Sequence, residues 1–106
     1  MRRFVKSPVI ASTVSNYKQY WAYKEVVKNW KSDVVTHGSV TTITIWYDKK
    51  ANDVYAKFQI KDWEDGFGIY LIDDDGDRHF INDEVDFCGT LDECIQSCFY
   101  YFRTRF

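Results

Sequence analysis

The chain has 106 residues, of which 45% are hydrophobic and 19% aromatic, and a formal charge of −2 at pH 7. That is enough apolar surface for one core, so a single domain over residues 1–106 is expected and intrinsic disorder is excluded. No apolar run approaches the roughly 18 residues of a membrane span, and the near-neutral total excludes a uniformly basic or acidic protein.

The segment Met1 to Pro8 carries charges but no long apolar stretch or small-residue cleavage site, so it does not read as a signal peptide. Three cysteines in such a chain read as reduced thiols, and the expected location is cytoplasmic. Phe4 to Ile10 can form a short strand, which Pro8 confines to an edge or a bulge. Ser12 or Ser15 can then N-cap a helix running to about Lys31. At about 100° per residue, Tyr20, Tyr23, Val26, Val27 and Trp30 share its core-side arc. Tyr17, Trp21, Lys24, Lys28 and Lys31 share the adjacent arc, and Ser32 to Ser39 reads as a loop.

Four strands follow as a meander. Val40 to Tyr47 alternates Thr42, Thr44 and Trp46 against Ile43, Ile45 and Tyr47. Beyond a turn over 48–53, the next strand sets Val54, Ala56, Phe58 and Ile60 on one face and Tyr55, Lys57, Gln59 and Lys61 on the other. Residues 62–66 turn the chain into Phe67 to Ile72. Asp73 to Asp77 reverse it again, with Gly76 supplying a positive φ, and Arg78 to Ile81 return. Thr90-Leu91-Asp92-Glu93 is a capping-box sequence that opens the final helix. Leu91, Cys94, Ile95, Cys98, Phe99, Phe102 and Phe106 fall on its apolar half, Asp92, Glu93, Gln96, Ser97 and Arg103 on the other. The expected architecture is α+β: an antiparallel meander of four to five strands, one helix before it and one amphipathic helix after it. Eighteen Val and Ile against two Leu support a sheet-rich domain.

No reaction motif accompanies this fold: there is no G-x-S-x-G, H-E-x-x-H, Walker loop or G-x-G-x-x-G. A calcium loop built on Gly76 would place Leu71 at its first position and Asn82 at its twelfth, and neither offers the required carboxylate. Cys88, Cys94 and Cys98 have five and three intervening residues, which match no zinc knuckle. No catalytic residue, metal ligand or cofactor is therefore assigned, and a non-enzymatic protein is expected.

Charge is the remaining signal. Residues 1–61 hold eleven Lys/Arg against four Asp/Glu, and residues 62–102 hold one Arg against twelve Asp/Glu, so +7 faces −11 along the chain. The two halves can lie side by side and neutralise each other, or each can form a face of its own. In the second case the acidic set Asp62, Trp63, Glu64, Asp65, Asp73, Asp74, Asp75, Asp77, Asp83, Glu84 and Asp86, spread over roughly 20 Å of strand length, can mimic a phosphate backbone. The expected partner is then a basic nucleic-acid-binding protein of the host, blocked as an anti-restriction or anti-CRISPR protein would block it. The small, aromatic-rich composition, with Lys favoured over Arg, suits a phage-encoded inhibitor. The alternative is a nucleic-acid-binding module that uses Tyr17, Trp21, Lys24, Lys28, Lys31, Lys57 and Lys61, with Tyr55 and Trp46 beside them. A third reading is a small metal protein or enzyme around His79 and the Asp73–Asp77 run. Pairing of its own opposite charges would make the chain a homodimer.

Overall fold

β-Branched and aromatic residues dominate the middle of the chain, and there they build an antiparallel sheet of five strands in meander order. These are β1 (Trp30–His37), β2 (Val40–Tyr47), β3 (Val54–Trp63), β4 (Gly66–Ile72) and β5 (Arg78–Phe80). A short helix α1 (Trp21–Val26) precedes the sheet and a long helix α2 (Leu91–Arg105) follows it. The computed structural model describes residues 15–47, 54–85 and 89–105, so the expected strand at Phe4–Ile10 and the contacts of Asp86, Cys88 and Phe106 lie outside the described residues, as do the side chains of Ser15, Asn16, Val54 and Tyr55.

The turns close as their residues require. Gly38 opens the two-residue β1–β2 turn at φ 61°, and Gly76 has φ 87° in the β4–β5 turn. Register carries the alternation across the sheet: Ile43 pairs with Val34 and Phe58, Phe58 with Leu71, and Ile60 with Ile69. These residues line the face that α2 covers, where Ile43, Ile45, Phe58, Ile60 and Ile69 are buried with Cys94, Ile95, Cys98, Phe99 and Phe102. The Phe58 ring meets that of Tyr101 edge-on at 5.9 Å, and Trp30 meets Phe102 at 5.1 Å. The capping box is formed: Glu93 N–H donates to Thr90 Oγ1 at 3.2 Å, and Glu93 Oε1 accepts from the Thr90 and Gly89 N–H groups at 3.1 and 2.8 Å.

The first helix differs from the expectation. Ser15–Gln19 is a 3₁₀ turn, α1 ends at Val26, and the chain from Trp30 onward is strand. The reason lies in β1 itself, where Trp30, Ser32, Val34 and Thr36 face inward and Lys31, Asp33, Val35 and His37 face outward. Hydroxyls on the inner side hide the period of two, and Thr36 and Thr41 Oγ1 atoms bond each other across the strands at 2.9 Å. Asp92, expected on the polar half of the last helix, is buried. No helix of the described residues is long and apolar enough to cross a membrane.

Candidate nucleic-acid interface

A strand has two faces, and α2 covers one of them. Residues one step out of phase with the core therefore stand on the opposite face: Lys57, Gln59, Lys61 and Trp63 from β3, Gly68, Tyr70 and Ile72 from β4, Arg78 and Phe80 from β5. Cross-strand pairing sets them side by side, with Gln59 opposite Tyr70, Tyr70 opposite Phe80, Lys57 opposite Ile72, and Ile72 opposite Arg78. Among the described residues no helix packs on this face.

Rings and cations interleave there. The Lys61 ammonium sits 5.6 Å from the Trp63 ring centre and 5.9 Å from that of Tyr70, and the Arg78 guanidinium lies 5.6 Å from Tyr70. Tyr70 and Phe80 rings are 5.4 Å apart, and Trp63 and Phe80 are about half exposed. None of Lys57, Lys61 or Arg78 forms an ion pair with a carboxylate among the described residues. Trp63 packs against Gly68, where a Cβ would stand 2.6 Å from its indole nitrogen.

The other expected basic residues are divided between surfaces. Tyr17, placed by the helical wheel on the exposed arc, is buried and stacks on Phe99 at 6.2 Å, so it offers no ring to a ligand; burial also raises its pKa. Trp21 is exposed on the helix side, edge-on to Tyr100 and beneath Arg103. Lys24 is exposed beside it, and Lys28 is engaged with Glu25 at 2.9 Å, a bond that holds the Glu25 carboxyl below its ordinary pKa. Lys31 faces outward on β1, across the sheet from α2, opposite Trp46.

The expected acidic set is also divided. Asp62 is buried on the core side of β3, and Trp63 belongs to the aromatic face. Glu64, Asp65 and Asp83 are exposed near one end of β4, Asp74, Asp75 and Asp77 at the other. Asp73 organises the second turn: its Oδ1 accepts from the Asp75 and Asp77 N–H groups at 2.9 Å, and its Oδ2 meets His79 Nε2 at 2.7 Å. The His79 bond, then the Asp77 N–H, hold the Asp73 carboxyl below its ordinary pKa. Carboxylate oxygens of Asp73, Asp75 and Asp77 approach within 4.8 Å of one another. Glu84 accepts from the Tyr101 hydroxyl at 3.4 Å and pairs with Arg105 at 3.7 Å. It borders a cleft of about 290 Å³ with Trp21, Gln96 and Tyr100. Cys94 and Cys98 are buried on α2 and form no disulfide with each other.

Arg78, Tyr70 and Phe80 were missing from the candidate residues named on sequence alone. Their signal was the alternation of the last two strands, which assigns a face only once both turn lengths are known. We found no family model that matches the chain, and no curated protein or solved structure similar to it.

Proposed function

We propose that this is a non-enzymatic binding domain whose working surface is the open face of the sheet, and that the face takes single-stranded nucleic acid with little sequence preference. One observation carries the reading: Lys57, Lys61 and Arg78, without carboxylate partners among the described residues, share a face with the rings of Trp63, Tyr70 and Phe80. Cations bind phosphates by releasing counterions, and exposed rings stack bases of any identity. The exposed acids that border β3, β4 and β5 stand at the ends of these strands, and Asp33 stands apart on β1, so a polyanion crossing β3 to β5 meets cations.

Fluorescence anisotropy with a labelled oligonucleotide of about 12 residues tests this at several salt concentrations. Lys57→Ala, Lys61→Ala and Arg78→Ala should each weaken binding and flatten the salt slope by about 0.7 per lost phosphate contact. Tyr70→Ala should cost about 1–3 kcal/mol per stacked base. Absence of binding by the wild type at low salt overturns the reading.

The exposure of Asp74, Asp75 and Asp77, unpaired with any cation among the described residues, favours a second reading. In it the acidic turns dock on a basic nucleic-acid-binding protein and block it, as a phage anti-defence inhibitor would. A pull-down at low and high salt addresses it, with Asp73, Asp74, Asp75 and Asp77 changed together to Asn. Capture of the same partner by this variant as by the wild type removes the acidic turn from the reading.

A further inference from the structure

β1 is an eight-residue strand at the edge of the sheet, and among the described residues no strand pairs with its outer side. Its register with β2 runs unshifted from Trp30↔Tyr47 to His37↔Val40, with neither bulge nor proline to blunt the edge. The two-residue loop Gly38-Ser39 makes His37 and Val40 a hydrogen-bonded closing pair. Antiparallel alternation then points the backbone groups of His37, Val35 and Asp33 toward β2 and those of Thr36, Val34 and Ser32 outward.

We infer that β1 pairs with β1 of a second copy of this chain, antiparallel, with Val35 opposite Val35 and Asp33 opposite His37 on each side of the axis. The outward backbone groups allow only registers that set Ser32, Val34 and Thr36 against one another. Ser32 opposite Val34 brings Asp33 onto Asp33, a like-charge contact. Val34 opposite itself sets Asp33 against Val35. Ser32 opposite itself leaves Val35 uncovered, and Thr36 opposite itself carries Asp33 past His37. Val34 opposite Thr36 covers Val35, which is 39% exposed, and gives each Asp33 carboxylate an imidazole. A neutral His37 donates one N–H to that carboxylate, and a protonated one adds an ion pair. The side chains of 33, 35 and 37 occupy the non-hydrogen-bonded pairs, where strands bring them closest.

Sedimentation velocity on the full chain, across a hundredfold range of concentration and without nucleic acid, reads this interface independently of the proposed ligand. The wild type should shift from monomer to dimer. Asp33→Lys, at an exposed position, should weaken the dimer about tenfold, and the swap Asp33→His with His37→Asp should restore it. Under mild oxidation Val35→Cys should form a covalent dimer whose linked peptides both contain position 35, whereas Thr44→Cys on the central part of the same face should not. A wild type that stays monomeric throughout, a dimer indifferent to Asp33→Lys, or a Val35→Cys protein without a 35–35 link overturns the inference.

Discussion

The Asp73 carboxylate gathers three donors, two backbone N–H groups and the His79 ring, into the β4–β5 turn. Its folded pKa lies below the ordinary carboxylate value. The turn therefore keeps this stabilisation above the unfolded carboxylate pKa and loses it as pH falls through the lowered folded value. The amide proton shifts of Asp75 and Asp77 should share one inflection in that acidic window, and Asp73→Asn should remove that common inflection. NMR across the acid range checks both. The reversal itself was legible from Gly76. Which of four nearby aspartates would hold it was not, because all four have the same side chain and only turn geometry singles out one.

At the scale of elements, α2 was legible to its cap because the capping box and the apolar stripe are both local patterns. β1 was not, because its inner side mixes Trp30 and Val34 with Ser32 and Thr36, and only its pairing with β2 makes it a strand. Helical spacing of Tyr23, Val26, Val27 and Trp30 competed with that pairing, and the sheet prevailed. The contact between α2 and the sheet should dominate stability. Phe58→Ala, at a fully buried position against Tyr101, should cost about 3–5 kcal/mol. Lys57→Ala, one residue away on the open face, should change stability by about 0.5 kcal/mol or less. Urea denaturation of the two variants measures the difference.

For the whole molecule, folding turns an opposition along the chain into one across space. Strand reversal puts the exposed acids between residues 64 and 83 at the ends of β3, β4 and β5, while Lys57, Lys61 and Arg78 share the open face of these strands. Lys57 and Lys61 could be placed together from period two alone; joining Arg78 to them required register across two turns. β4 has seven residues, about 23 Å at roughly 3.3 Å per residue, so acids in the turns at its two ends fall outside one Debye length of about 8 Å from the middle of the face. Changing Asp74, Asp75 and Asp77 to Asn should therefore raise affinity for single strands modestly, at low salt only. Loss of affinity for a basic partner protein in the same variant would favour the docking reading. Parallel titrations at two salt concentrations separate these outcomes.

Gly68 has a further consequence. Its backbone has no positive φ to accommodate, and the Trp63 indole occupies the place of its side chain. The Trp63 side chain thus fills the space beside position 68 on the open face. Gly68→Ala alone should displace the half-exposed indole and shift its fluorescence, so the smallness of position 68 sets where the ring lies on the open face.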